Sequence, residues 1–128
     1  MVREVKRNFA LDYIKKAEEF LGSAQDNFVK GRFNAAGFDA TQAIINSNDA
    51  LTIFFLEKRA SSDHREAVKL HIDVVKTISD NAGRAILKNA LDMRSAAGYL
   101  GEAMGKADAE NLIKSAVRFI EWVRIYVR

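Results

Sequence analysis

Residues 33–58 read FNAAGFDATQAIINSNDALTIFFLEK, and this stretch decides the fold class. Its apolar and small residues recur every three or four positions, the spacing that places side chains on one face of an α-helix. That face comprises Phe33, Ala36, Ala40, Ala43, Ser47, Ala50 and Phe54. The chain contains no proline, so nothing of that kind interrupts the pattern. The stretch therefore predicts an uninterrupted helix ~37 Å long.

The middle of this helix carries four consecutive polar residues, Asn46-Ser47-Asn48-Asp49. None of these residue types favours a helix interior. One interpretation is that Ser47 fills a tight helix crossing while the other three residues face water. The other is that the run marks a functional site, because local conflicts of this kind are over-represented at such sites. The pattern alone leaves both interpretations open.

Gly31 separates this helix from an earlier one. Residues 10–28 have apolar positions at alternating spacings of four and three, which predicts an amphipathic helix. A glycine just past a helix, with a cation such as Lys30 in the last turn, is a stop signal. Because the connection is short, we expect the first two helices to be antiparallel neighbours.

Three further helices are predicted after residue 58. Asp63 followed by Glu66 resembles a capping box, which would start a third helix at the next residue. The polar cluster Ser79-Asp80-Asn81 is expected to open a fourth helix. A loop beginning at Gly101 then leads to Asp108, which is expected to cap the fifth helix. The sequence therefore predicts an all-α fold, an up-and-down antiparallel four-helix bundle with an additional short helix.

The composition narrows the class of protein. The 128 residues are 48% apolar and 29% charged, which is typical of one globular domain spanning residues 1–128. The absence of cysteine excludes disulfides, thiolate metal sites and cysteine nucleophiles. Neither a signal peptide nor a membrane span is evident, so we expect a cytoplasmic protein with no membrane partner. A net charge of +3 is compatible with nucleic-acid binding without being diagnostic of it.

The densest polar run between two apolar segments extends from Lys58 to Glu66 and contains a candidate phosphate-handling site. Arg59 ends the second predicted helix and His64 begins the third, so the turn between these helices would bring the two side chains together. A helix N-terminus favours bound anions, and Arg59 and Arg65 could contact a phosphate bidentately. A neutral histidine could take the proton of a ribose 2′-OH while arginine stabilises the phosphate charge. The alternative is a solvent-exposed loop without such a role.

Other chemistries find no support in the sequence. There is no Glu-x-x-His pair for a di-metal bundle, no Gly-x-Ser-x-Gly elbow and no phosphate-binding glycine loop, so we expect no metal or cofactor. His71, the second histidine, lies between Val68 and Val75 and is predicted to be an interior residue. It stands about 240° around the helix from Arg65, so these two cannot easily share a site.

Several motifs occur in a recognisable order along nearly the whole chain. They are the entry Gly31-Arg32-Phe33, the alanine-rich second helix ending Asn48-Asp49-Ala50-Leu51, the run Ser61-Ser62-Asp63-His64-Arg65-Glu66-Ala67-Val68, and Arg94 followed by Tyr99. In this order and spacing the sequence resembles the HEPN family (higher eukaryotes and prokaryotes nucleotide-binding domain). The resemblance implies an antiparallel helical bundle that forms a homodimer.

The resemblance also implies a function. Many HEPN proteins carry an Arg-x(4–6)-His motif, act as metal-independent ribonucleases and are toxins paired with a nucleotidyltransferase antitoxin. Arg59 and His64, with four residues between them, match this motif and are its predicted catalytic residues. Asn46 or Asp49 would be the polar partner on the second helix, and these two with Arg65 form the predicted phosphate or nucleotide contacts.

Two departures from the family pattern keep a second function open. The motif arginine is followed by Ala60 rather than by a polar residue such as asparagine, and Glu66 replaces the tyrosine that some toxins carry. The resemblance implies that many family members without a strict motif are non-catalytic binding modules. The alternative function is therefore a module that binds nucleotide or docks a nucleotidyltransferase.

Overall fold

Five α-helices form most of the described part of the chain. The computed structural model describes residues 1–60, 63–100 and 103–128, with no side chains described for residues 95–100. The helices are α1 (Ala10–Val29), α2 (Phe33–Leu56), α3 (His64–Ile78), α4 (Arg84–Leu100) and α5 (Lys106–Tyr126). The predicted all-α bundle is confirmed, and α3, with 15 residues, is its shortest helix.

Two very short strands lie beside the helices. β1 (Arg3–Glu4) and β2 (Lys58–Arg59) pair in antiparallel fashion, and a 3-10 turn at Arg7–Phe9 leads from β1 into α1. The second helix therefore ends two residues earlier than predicted, and Arg59 lies in a strand. Strands of two residues are too short to show the alternation by which strands are found in a sequence.

α2 is the central helix of the bundle and packs against each of the other four helices. From Ala40 to Ile53 its residues are buried, apart from the half-buried Gln42. A helix with neighbours on all sides buries its whole circumference. The single apolar face predicted from the sequence was consequently too narrow.

The polar run Asn46–Asp49 lies within this buried part of α2. Its four residues are between 0 and 7% exposed, so the interpretation that three of them face water is wrong. The Ser47 hydroxyl donates to the carbonyl oxygen of Ala43 at 2.8 Å, which satisfies it within the helix. The other three residues also require hydrogen-bond partners, because buried polar groups without hydrogen bonds are costly.

Two predicted helix boundaries are confirmed by their hydrogen bonds and backbone angles. The Asp63 carboxylate accepts from the backbone N–H of Glu66 at 3.3 Å, which caps the N-terminus of α3. Gly31 follows the end of α1 with a φ of 72°, a left-handed conformation that favours glycine.

Two other helix starts were predicted wrongly. α4 begins at Arg84, beyond the Ser79–Asn81 cluster. The Asp80 carboxylate accepts from the backbone N–H of Ala82 and from the indole N–H of Trp122 and the hydroxyl of Tyr126 on α5. α5 begins after Gly105, so Asp108 lies in its first turn rather than at its cap.

Some predictions fall outside the described residues. Ser61 and Ser62 of the predicted connection belong to this group, as do Gly101 at the start of the predicted last loop and the side chain of Tyr99.

Candidate functional site

Arg59 is held at the junction between α2 and α3. The chain leaves α2 at Glu57, whose φ of 55° turns it out of the helix and into β2. The Arg59 guanidinium lies over the ring of Tyr13 on α1, 5.5 Å from its centroid. Its Nη1 atom is 4.0 Å from Oδ2 of Asp49 on α2. The Arg59 side chain retains 23% exposure, and its contacts with two helices fix its position.

The predicted polar partners on α2 lie below this arginine. Asp49 is 1% exposed and faces Arg59, and Asn46, at 7%, accepts a hydrogen bond from the Gln42 amide at 3.2 Å. Gln42 in turn accepts from the guanidinium of Arg94 on α4. Gln42, Asn46 and Asp49 are spaced four and three residues apart, so they share one side of α2. Asp49 acts here as a support for Arg59, and direct contact of Asn46 or Asp49 with a ligand stays a prediction.

His64 is the first residue of α3 and faces α4. Its Nε2 atom lies 2.7 Å from Oδ1 of Asp92, and both side chains are exposed, at 41% and 57%. A carboxylate only accepts hydrogen bonds, so this contact places a proton on Nε2. In the neutral ring the proton on Nε2 leaves Nδ1 as the basic nitrogen. The His64–Asp92 pair therefore orients the imidazole and selects its tautomer.

Asp92 was not among the predicted site residues. Nothing in its local sequence marks it, because it is one charged residue on the exposed side of an amphipathic helix. Its role becomes visible only when α3 and α4 pack together.

Arg59 and His64 thus lie on either side of the same short junction, but their side chains engage different elements. Arg59 contacts α1 and α2, whereas His64 contacts α4.

The model for HEPN domains matches residues 10–126, nearly the whole chain. The chain belongs to the HEPN family. No curated protein is similar enough to this HEPN chain to serve as a relative.

The second histidine of this HEPN domain lies in the core. His71 is fully buried, and its Nδ1 atom is 2.8 Å from the side-chain oxygen of Asn48. The imidazole packs beside Phe119 and Trp122, with ring centroids 6.3 and 5.7 Å away. Burial, together with the positive charge of Arg84, lowers the pKa of His71 to about 4. The prediction of an interior histidine is confirmed.

Arg65 and His71 have different environments in this HEPN domain. Arg65 is exposed at the start of α3, whereas His71 lies in the core. Arg65 and His71 therefore do not share a site in this fold. Arg65 lies beside His64 in the sequence, and its contact with phosphate stays a prediction.

The start of α3 also carries a charged contact from the N-terminus. The amino group of Met1 donates to the Asp63 carboxylate at 2.8 Å. This hydrogen bond, with a smaller contribution from the Glu66 N–H, lowers the pKa of Asp63. The cap of α3 is thereby kept ionised beside His64.

The described residues show neither a metal-binding cluster nor a membrane-spanning helix. They contain no group of three or more histidine, aspartate or glutamate side chains arranged to hold a metal ion. None of the helices they form is both long and apolar enough to cross a membrane.

Proposed function

We propose that this HEPN domain is a metal-independent endoribonuclease that uses the Arg59-x4-His64 motif. The observation that carries the proposal is the His64–Asp92 contact of 2.7 Å, which leaves Nδ1 of a neutral His64 available as a base. Arg59, positioned by Asp49 and Tyr13, supplies the cation that such a reaction needs at the phosphate.

The proposed reaction is attack by a ribose 2′-oxygen on the adjacent phosphorus. Nδ1 of His64 takes the 2′-OH proton as the new O–P bond forms, and the Asp92 carboxylate stabilises the resulting imidazolium. Arg59 stabilises the additional negative charge on the phosphate oxygens. The bond to the 5′-oxygen breaks, that oxygen takes up a proton, and the products carry a 2′,3′-cyclic phosphate and a 5′-hydroxyl.

The proposal extends to how the domain is assembled. A homodimer would place two motifs across one cleft, and the second His64 would then protonate the leaving oxygen. We further propose that the domain is the toxin-like component of a two-gene module, paired with a nucleotidyltransferase antitoxin in the cytoplasm. The family membership supports this part of the proposal.

The test is incubation of the purified protein with cellular RNA in the presence of a chelator. We expect fragments with 2′,3′-cyclic phosphate ends, and a loss of cleavage of about 100-fold or more in Arg59→Ala and in His64→Ala. Lys69→Ala is the matched control, because Lys69 is an exposed cation on the same helix as His64. Its cleavage rate should equal that of wild type.

Two results would contradict the proposal. Intact RNA with wild type and both variants, while nucleotide still binds, would identify the alternative, a non-catalytic nucleotide-binding or nucleotidyltransferase-docking module. A monomer by light scattering at micromolar concentration would rule out the shared cleft.

A further inference from the structure

The β1–β2 ladder places two arginines side by side. Arg3 of β1 is the direct partner of Arg59 in β2, and Glu4 is the partner of Lys58. Directly opposed residues in an antiparallel pair project from the same face, with Cβ atoms about 5 Å apart. Opposite charges at such a position stabilise the pair, and like charges destabilise it. The Glu4–Lys58 pair therefore stabilises the ladder, whereas the Arg3–Arg59 pair destabilises it.

The surroundings of Arg3 do not offset this repulsion. Arg3 is exposed, and no hydrogen bond or ion pair links its guanidinium to any residue that the structure describes. Asp49 faces Arg59 from the buried side, within α2. The ladder thus places the positive charges of Arg3 and Arg59 on one face, with Asp49 offsetting Arg59 only from the buried side.

An anion between the two guanidinium groups would convert the repulsion into attraction. Guanidinium is planar, always charged and matched to the oxygens of a phosphate group. Arg59 is fixed by two helices, and the ladder fixes the backbone of Arg3 opposite it. Arg59 is preorganised in this way and loses little freedom when a phosphate binds, whereas the side chain of Arg3 becomes ordered on binding.

We infer that Arg3 and Arg59 together form a binding site for a phosphodiester of the RNA chain. The inference rests on the proposed function for the identity of the ligand. It adds to the site a substrate-binding residue more than fifty positions upstream of the motif, outside residues 10–126 that match the family model. Arg3 contacts the phosphate backbone and does not take part in proton transfer.

A ligand-binding role and a structural role predict opposite effects of the same substitution. Arg3→Gln removes a like-charge contact, so the melting temperature of the free protein should stay the same or rise. The same change should weaken RNA binding. A residue retained for the fold would lower the melting temperature and leave binding intact.

The experiment measures binding of a short 2′-O-methyl oligoribonucleotide, which has no 2′-OH and cannot be cleaved by the proposed reaction. Fluorescence anisotropy over a series of salt concentrations gives the dissociation constant and its salt dependence. In Arg3→Gln we expect several-fold weaker binding and a log–log salt slope smaller by about one. Arg3→Lys should recover most of the affinity. Lys58→Gln, which removes the same charge from the other register pair, should leave the slope unchanged.

Three results would overturn the inference: no binding of the oligonucleotide by wild type, equal losses in Arg3→Gln and Lys58→Gln, or unchanged binding in Arg3→Gln. Cleavage of ordinary RNA is measured on the same proteins. Wild-type cleavage without an effect of Arg3 would refute the site and leave the ribonuclease standing. Binding that depends on Arg3, without cleavage of ordinary RNA, would support the site and refute the ribonuclease.

Discussion

The two histidines of this HEPN domain lie seven residues apart on one helix and have opposite environments. A separation of seven residues is close to two helical turns, so His64 and His71 project from nearly the same side of α3. His64, at the first turn, is 41% exposed and pairs with a carboxylate on α4. His71, about 10 Å further along, is fully buried against an amide on α2 and two aromatic rings on α5.

The difference shows that depth along the bundle, rather than the face of the helix, separates a candidate catalytic residue from a core residue. The side chain of His64 is in contact with solvent. In His71 no hydrogen-bond partner for Nε2 is found among the described residues, and its surroundings oppose protonation. The same type of side chain is thus exposed at one end of α3 and packed in the core in the middle.

The largest expected effect is on stability. His71→Ala should lower the free energy of unfolding by about 3 to 4 kcal/mol, because it leaves a cavity beside Phe119 and Trp122 and deprives Asn48 of its partner. His64→Ala should change it by less than about 0.5 kcal/mol. Urea denaturation of both variants measures the difference.

A matched double variant sharpens this prediction. Replacing both Asn48 and His71 by leucine removes the polar pair together, so no orphaned group remains. The double variant should be less destabilised than His71→Leu alone. Similar losses in His64→Ala and His71→Ala would contradict the contrast between the two histidines.

The next effect is the contribution of His71 to the pH dependence of stability. Its pKa is about 4 in the folded protein, against 6.5 for an unperturbed histidine. As the pH falls from 6.5 to 4, the imidazole of His71 binds a proton in the unfolded chain but not in the folded protein. The free energy of unfolding should therefore decrease by roughly 3 kcal/mol over this range, with no further contribution from His71 below it.

Urea denaturation over a pH series tests this prediction, with His71→Leu as the variant that lacks the titrating group. The wild-type slope between pH 6.5 and pH 4 should be much smaller in His71→Leu and persist in His64→Ala. Equal slopes in wild type and His71→Leu would show that other groups cause the pH dependence.

The smallest expected effect concerns Asp92. An exposed ion pair contributes up to about 1 kcal/mol, so Asp92→Asn should lower kcat for RNA cleavage by about fivefold and leave KM and stability unchanged. Asp92→Glu should recover part of the loss, because it restores a carboxylate. A change in KM alone would indicate that Asp92 contacts the substrate rather than positioning His64.

Much of the fold could be predicted from local sequence. The cap at Asp63 and the stop at Gly31 depend on a few neighbouring residues, and both are confirmed. The Asp80 carboxylate, predicted to cap α4, also accepts from Trp122 and Tyr126, which lie about 40 residues away in the sequence. No local pattern contains that information.

The candidate site likewise contains residues that the sequence predicted and residues that it did not. Arg59 and His64 were predicted from their spacing and from the family resemblance, and their roles stay predictions. Asp92 and Arg3 were missed, because each gains significance from a partner on another element. The burial of Asn46, Asn48 and Asp49 was missed for a related reason, since periodicity describes one face of a helix and not the number of its neighbours.

The sequence by itself determined the helices, their amphipathic faces, the cap of α3 and membership of the HEPN family, because these follow from residues close together in the chain or from motif order. The tertiary structure alone decided that α2 lies at the centre, that His71 is buried while His64 is exposed, and that Arg3 stands opposite Arg59. The physical reason is that burial and charge pairing depend on contacts between segments far apart in the chain, and those contacts exist only once the helices have packed.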